Sequence, residues 1–477
     1  MEEMPKFASL TGLNNSDIMI SGVFRRFFLL SLLLWAATLG FATDSKSALQ
    51  DYLQSDDASF SFQVVDSTRE ADVRAYRLRV TSQTWRGIPW YHEMVVCVPL
   101  KVRHREALIH LTGGSEDEQT GQLSYHSWDD PTIRLLGLFA HNVQAVTAVI
   151  WQIPRQPLFG GMREDVLVSY TYHQFLLQKD YSWPLLLPMT KAALRALDVT
   201  THIAASRGGA RVDRFLVNGV SKRGWTTWMS AAAADPRIVA IAPMVIDILN
   251  MPVNVPYQRH MFGKYSEEIM DYVRLGITEE VSTEGGGELV DIVDPYSYRH
   301  LFHLPKMLIM GTNDEFWTVD AVKNYIDSIP GPTLMTYVPN AGHSLGDRKA
   351  AASSLEAFFY QTIHGGRYPT LRTTARRAGS DAIISVRVGK GRILKAEIWY
   401  AESDSLDFRP HRFHAVDVTA AARGRSFEVS TPMPPSGYKA FLLMLYYKHP
   451  VERSPYTITS RMYTASPTEV FTEAYRP

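Results

Sequence analysis

Cysteine is nearly missing from this sequence: the 477-residue chain has one, Cys97. That excludes an intrachain disulfide and any cysteine-built metal site. An excess of charge is missing too. The 49 lysines and arginines stand against 49 acidic residues, so the chain lacks the footprint of a nucleic-acid or anionic-membrane binder, and no nucleic-acid partner is expected. No glycine-rich phosphate loop and no dinucleotide fingerprint occurs, which removes the commonest nucleotide and redox-cofactor classes. His300 and His303, like His411 and His414, lie three apart with no carboxylate at metal-ligand spacing. Neither pair reads as a metal site, and neither metal nor cofactor is expected. What remains is a balanced chain, 45% hydrophobic, long enough for two domains or for one large domain with an appendage.

The first 42 residues read as a leader. Arg25-Arg26 precedes an apolar run from Phe27 to Leu39, followed by Gly40-Phe41-Ala42. A charged region, an apolar core and a small-x-small cut site make a signal peptide, with the cut after Ala42. The run is short for a membrane span, so no stable membrane anchor is expected after cleavage. Arg25-Arg26-Phe27-Phe28-Leu29 also fits the twin-arginine pattern, leaving that route and the general one both open. Cleavage removes three basic residues (Lys6, Arg25, Arg26) and three acidic ones (Glu2, Glu3, Asp17), so the charge balance survives. No N-glycosylation sequon follows Ala42.

Residues 43–366 alternate short apolar runs with helical patterns. Strands are expected at Val73–Thr81, Glu93–Pro99, Ala107–Leu111, Ala145–Trp151, Arg214–Gly219, Val239–Ile246, Lys306–Met310 and Thr333–Val338. Most are continuous apolar runs, as in a parallel sheet covered on both faces. Helices are expected at Arg163–Leu177, Met189–Ser206, Arg223–Ala234, Val319–Ser328 and Asp347–Ile363. The rhythm predicts an α/β, mostly parallel sheet with helices on both faces. Insertions near 152–188 and 250–302 break it, as lids and pocket walls do in such enzymes, or as surface decoration. From residue 367 to 477 the texture changes to short strands at close spacing: Ala382–Val388, Ile393–Ala401, Arg412–Val418, Ser426–Val429, Lys439–Tyr447 and Tyr456–Tyr463. That predicts a β-sandwich. Cys97 falls inside an expected buried strand, where a thiol is packing.

Chemistry concentrates at strand ends. In Val217-Asn218-Gly219-Val220-Ser221-Lys222-Arg223-Gly224 a buried strand runs through Gly-x-Ser straight into a helical pattern. Such a junction holds a serine hydroxyl at a strained apex on the sheet's carboxyl edge. The usual second glycine is displaced: Arg223 takes its place and Gly224 follows. A helix N-cap serine is the plainer reading of a lone Gly-x-Ser. Two later strand ends argue for more, because Lys306–Met310 leads to Asp314 and Thr333–Val338 to His343. Serine, acid and histidine in this order suit nucleophilic acyl transfer, with His343 as the base and Asp314 holding its tautomer. Glu315 beside Asp314, and Asp247 after Val239–Ile246, leave the acid's identity open. Gly113 and Gly114, after Ala107–Leu111, stand where an oxyanion donor belongs, and the backbone of Lys222 would supply another. The Lys222 and Arg223 side chains either add positive charge near the oxyanion or a substrate carboxylate, or sit in salt bridges. Glu164-Asp165 opens a helix, where acidic residues suit the dipole. Trp151, Trp183, Trp225, Trp228 and Trp317 crowd the same elements, as pocket lining or as core.

Taken together, Leu111-Thr112-Gly113-Gly114, Trp183-Pro184-Leu185-Leu186-Leu187-Pro188-Met189, Ser221-Lys222-Arg223-Gly224-Trp225-Thr226-Thr227-Trp228 and Ile241-Ala242-Pro243-Met244-Val245-Ile246-Asp247 resemble the PhoPQ-activated pathogenicity-related protein family. The resemblance spans nearly the whole chain after Ala42. It implies an exported protein of the α/β-hydrolase fold, and it supports Ser221, Asp314 and His343 by position. It says little about what is cleaved.

The expectation is therefore an exported serine hydrolase acting on a small-molecule or peptide acyl substrate, with ester and amide both open. The alternative is a secreted signalling or virulence-associated binding protein on a hydrolase scaffold. The sandwich is then a platform for a protein partner, a carbohydrate-binding surface, or a cover for the hydrolase part.

Overall fold

The computed structural model describes residues 44–477 apart from 56, 115–122, 284–286 and 390; the leader expected at 1–42 lies outside the described residues. Nine strands form the larger sheet: β1 (Ser61–Glu70), β2 (Val73–Trp85), β3 (Ile88–Pro99), β4 (Glu106–Leu111), β5 (Val146–Ile150), β6 (Arg214–Val220), β7 (Ile238–Met244), β8 (Lys306–Gly311) and β9 (Thr333–Val338). Their spatial order is β1-β2-β3-β5-β4-β6-β7-β8-β9. From β5 across to β9 every pair is parallel, whereas β1, β2 and β3 are antiparallel and β3 joins β5 antiparallel. With β1 as an added edge strand, this is the α/β-hydrolase order. The β2–β3 hairpin turns through Arg86 and Gly87, both with positive φ (50° and 72°), the two-residue turn whose twist matches its strands.

Burial on both faces explains why the parallel strands read as continuous apolar runs. In β4, Ala107, Ile109 and Leu111 enter one core while Leu108 enters the other. β6 divides likewise, with Phe215 and Val217 on one face and Leu216 on the opposite one. Helices α1 (Ala48–Gln54), α4 (Leu186–Gly208) and α5 (Lys222–Ala232) belong to the first core. Helices α2 (Pro131–Val143) and α10 (Lys349–Ile363) close the second. The start of α2 is fixed by Asp130, whose carboxylate accepts from the Thr132 and Ile133 amides, and by Pro131 in the first turn, where a missing N–H costs nothing. No described helix is long and apolar enough to cross a membrane.

The insertions are helical. The first holds α3 (Glu164–Gln178). The second carries α6 (Met251–Phe262), α7 (Met270–Val273), α8 (Ile277–Val281) and α9 (Gly287–Val293). The helix expected at Val319–Ser328 is instead two 3₁₀ turns, Ala321–Asn324 and Ile326–Ser328. Asn324 explains the break: its carbonyl accepts from Asn250 and its side-chain amide donates to Asn254, so tertiary partners replace the α-helical ladder.

The C-terminal strands form two antiparallel sheets. One contains β10 (Leu371–Ala378), β11 (Asp381–Val388) and β14 (Ser426–Pro432). The other contains β12 (Ile393–Ser403), β13 (His414–Asp417), β15 (Tyr438–Tyr447), β16 (Tyr456–Thr459), β17 (Tyr463–Ala465) and β18 (Val470–Phe471). The single strand expected over Tyr456–Tyr463 is broken at Ser460, whose N–H goes to the Leu443 carbonyl and whose hydroxyl caps the Arg461 carbonyl. β15 is buried on both sides. Phe441, Leu443 and Leu445 meet β11 and β14 across the sandwich, while Ala440, Leu442 and Met444 join the core that contains α4 and α5. Residues Ser45–Pro477 form one compact unit.

Candidate active site

Ser221 sits between β6 and α5 with φ 59° and ψ −125°, a conformation rare for a residue with a side chain and costing about 1–3 kcal/mol. Its surroundings enforce it. The Ser221 amide donates to the Met244 carbonyl of β7 (2.9 Å), and its own carbonyl accepts from the Trp225 amide (2.9 Å). A Cβ at Gly219 would stand 2.5 Å from the Arg223 carbonyl oxygen, and one at Gly224 would stand 2.7 Å from the Met244 oxygen. The displaced glycine therefore serves the helix–strand contact, and Arg223 at the preceding position points away from β7.

His343, on the loop after β9, places Nε2 2.7 Å from Ser221 Oγ. Its Nδ1 lies 3.0 Å from both carboxylate oxygens of Asp314, on the loop after β8. The arrangement suits one tautomer, with Nδ1–H donating to Asp314 and Nε2 accepting from the Ser221 hydroxyl. Asp314 is held by the Phe316 amide (2.9 Å), and the Phe316 ring lies 4.1 Å from the imidazole. Burial raises the Asp314 pKa above the usual carboxylate range, against the opposing pull of the His343 hydrogen bond. Glu315 accepts from the His343 backbone N–H (2.7 Å), so it braces the histidine loop and leaves the imidazole to Asp314. Asp247 is buried, and that burial pushes its pKa to about 7.

Lys222 and Arg223 are salt-bridged. Their side chains are 9% and 8% exposed, so each requires a counter-charge. Arg223 makes a bidentate pair with Glu164 (2.8 and 2.7 Å) and also donates to the Ile153 carbonyl. Lys222 Nζ reaches Asp165 (2.6 Å), which accepts from the Tyr272 hydroxyl as well. Burial alone would raise the Glu164 pKa, but Arg223 and Lys222 hold it down at about 2. Glu164 and Asp165 thus form an anionic floor beneath the elbow, a larger part than the helix-dipole role read from sequence. Gly113 lies next to the elbow, since Leu111 pairs with Gly219 across β4 and β6. A Cβ there would meet the Arg223 guanidinium at 2.7 Å. Gly114 accepts from the Gln156 side chain (2.8 Å), which in turn holds Glu164.

Beside Ser221 opens a narrow cavity of about 50 Å³, walled by Trp225, Ile246, Ile248, Met251, Ile277 and Val281, among other largely apolar residues. The second insertion supplies α6 and α8 to this wall, so it is a pocket wall rather than surface decoration. Trp225 and Trp317 line the cavity, while Trp228 is wholly buried against Phe302. Trp151 stacks on His126 and Trp183 packs edge-on to Trp85. Cys97 is buried, its thiol pushed up to about 12, as expected of packing.

The fold adds partners that the sequence does not show for three groups of residues. Asn313 and Asn340, beside the acid and histidine, bond to loop 408–413 of the C-terminal strands. Glu164 and Asp165 are partners that only the fold brings to Lys222 and Arg223. Glu356, His449 and Glu452 also converge, at α10. His449 Nδ1 accepts from the Val451 and Glu452 amides (3.1 and 2.8 Å), while Nε2 faces the Ser353 carbonyl at 2.9 Å. That tautomer puts the proton on Nε2, so the imidazole has no lone pair left for a metal.

A sequence profile of the family described as PhoPQ-activated pathogenicity-related protein matches residues 49–409. Autocrine proliferation repressor protein A of Dictyostelium discoideum is 31% identical over 442 residues, covering 85% of this chain and 87% of that protein. Among solved structures, acetyl xylan esterase 1 from Thermoanaerobacterium sp. is similar with a TM-score of 0.46 and 14% identity, covering 67% of this chain and 92% of its own. An S-formylglutathione hydrolase from Agrobacterium tumefaciens is similar with a TM-score of 0.39 and 10% identity, covering 63% of this chain and 99% of that one.

Proposed function

The chain belongs to the PhoPQ-activated pathogenicity-related protein family, and on that premise we propose that it is an exported serine hydrolase cleaving carboxylic esters through an acyl-enzyme on Ser221. One observation carries the reading: Ser221 Oγ stands at a strained elbow, 2.7 Å from His343 Nε2 and at the mouth of an apolar cavity. Ser221 Oγ attacks the ester carbonyl as His343 Nε2 takes its proton, and Asp314 stabilises the imidazolium. The oxyanion is met by the backbone N–H of Lys222, unsatisfied in the first turn of α5, together with the Gly113-Gly114 backbone. Collapse releases the alcohol, protonated by His343. Water, deprotonated by the same imidazole, then frees the carboxylic acid and restores Ser221.

The cavity favours a compact hydrocarbon acyl group. A narrow apolar slot of this kind suits one such group better than the two polypeptide arms flanking a peptide bond. Export rests on the Arg25-Arg26 leader pattern and the small residues before Thr43.

The test is turnover of p-nitrophenyl esters and labelling by a fluorophosphonate. Ser221→Ala is expected to lower kcat by about 10³-fold or more and to abolish labelling, and the matched anilide is expected to turn over far more slowly than the ester. Wild-type rates in Ser221→Ala would overturn the reading. Folded wild-type protein that neither turns over nor takes label would favour a second reading, a secreted signalling protein with an idle site. The name of the 31%-identical relative, a proliferation repressor, speaks for that second reading.

A further inference from the structure

We propose that Asn313 and Asn340 are positioning residues through which loop 408–413 of the C-terminal sandwich holds the acid and the base in register; this rests on the hydrolase reading above. Asn313 immediately precedes Asp314. Its side-chain amide donates to three carbonyls of that loop: Phe408 (3.3 Å), Arg409 (3.0 Å) and His411 (2.7 Å). Its Oδ1 accepts from the Thr312 hydroxyl (2.7 Å), which itself accepts from the Asn340 amide (2.8 Å). Asn340, three residues before His343, exchanges two hydrogen bonds with the Phe413 backbone: Nδ2 donates to its carbonyl (3.0 Å) and Oδ1 accepts from its N–H (2.7 Å). The two catalytic loops are also tied directly, since the Asn313 amide donates to the Ala341 carbonyl (3.0 Å).

The loop that receives these bonds is itself anchored. Phe408 and Phe413 are each 1% exposed and join the core that holds Trp225 and Ile246. The Arg409 guanidinium pairs with Asp407 (2.6 Å) and lies 3.7 Å from the centre of the Phe262 ring, at the end of helix α6. Two side-chain amides therefore convert a buried backbone loop into a jig for Asp314 and His343. Neither asparagine touches Ser221, and neither lines the cavity. An error of about 1 Å in such a constellation costs on the order of 100-fold in rate. Loss of the Asp314 contact also withdraws the carboxylate that stabilises the imidazolium formed during the reaction, an effect read in the pH profile.

The experiment uses the full chain with Asn313→Ala, Asn340→Ala and, as a control, Thr336→Val. Thr336 Oγ1 also bonds the C-terminal strands, at the Thr457 carbonyl (2.7 Å), but from within β9. With p-nitrophenyl butyrate the asparagine variants are expected to lose about 10–100-fold in kcat, with KM within about twofold and the acidic limb of kcat/KM moved to lower pH. Thr336→Val is expected to lower Tm and leave kcat and the limb in place. If the alanine variants do not accumulate as folded protein, Asn313→Ser and Asn340→Ser, which keep a polar group, carry the same test. Asparagine variants that lose Tm but keep kcat and the limb would overturn the inference and leave only a structural role. Ser221→Ala, run in parallel, separates the two claims: without Ser221-dependent turnover in the wild type the hydrolase reading fails, and with it only the clamp is at stake.

Discussion

At the residue scale, Arg223 and Glu164 do together what neither does alone. The guanidinium is the more deeply buried partner, with 8% of its side chain exposed against 41% for the carboxylate. Removing Glu164 therefore leaves the guanidinium without its counter-charge, next to the elbow. Breaking a fully buried pair costs about 3–5 kcal/mol; with Glu164 partly in water, Glu164→Gln is expected to cost less, about 1–3 kcal/mol after allowing for solvent screening. The sign of the pH dependence follows from the Glu164 pKa of about 2 in the folded chain, below its ordinary 4.5. Its contribution is full above about 4.5 and is lost as pH falls towards 2. Urea unfolding of wild type and Glu164→Gln at pH 6 and pH 3 should show the gap between them narrowing at the lower pH. An unchanged gap would mean that shape, not charge, holds the elbow.

At the scale of elements, helices α6 and α8 and the first turn of α5 wall the cavity beside Ser221. Trp225, one turn along α5 from Ser221, is a cavity wall pinned by its indole N–H to the Val293 carbonyl (2.7 Å). Trp225→Ala is expected to lengthen the slot, so that the preferred p-nitrophenyl alkanoate shifts to a longer acyl chain, at a stability cost of about 3–5 kcal/mol. A profile that keeps its optimum would place the acyl group elsewhere. The parallel strands were legible because both faces are buried, and Thr333–Val338 is read from sequence with the same ends as observed. β1 was not, because its alternating, mostly exposed surface carries little apolar signal. α2 did carry a signal, Asp130-Pro131 followed by Ile133, Leu136, Phe139, Ala140 and Val143 at helical spacing, but it was not recognised. Ser221, Asp314 and His343 were readable because each closes a strand. The partners of Lys222, Arg223, Asn313 and Asn340 were not, because they lie far away in sequence and in part are backbone carbonyls, which every residue has.

At the scale of the whole molecule, the C-terminal strands are joined to the hydrolase part by core as well as by hydrogen bonds. Glu356 on α10 lies at that junction, wholly buried, bonded to Asn142 (2.8 Å) and close to Glu452. Burial, helped by Glu452, pushes its pKa up to about 7. A carboxyl raised in the folded chain gives its full contribution below its unfolded value of about 4.5 and loses it as pH rises through about 7. Glu356→Gln mimics the protonated form. It is expected to leave stability unchanged at pH 4.5 and to raise it at pH 8 by on the order of 1–3 kcal/mol, read as a higher Tm. A variant less stable at pH 8 would show that the charged form is the one the junction wants.

The hydrogen bonds from Asn313 land on residues 95 to 98 positions further along the chain. Ser221, its elbow and the loops bearing Asp314 and His343 are thus all synthesised before the segment that braces them. On the proposed reading, a chain still leaving the ribosome carries Ser221 before loop 408–413, the segment that would align its base. The same geography makes one peptide bond a point of control: a cut near the exposed Pro410 or Arg412 leaves Ser221 untouched while freeing the loop that aligns its base. If Ser221 turns over esters as proposed, loss of that turnover during limited proteolysis is expected to track cleavage in this loop rather than loss of the core.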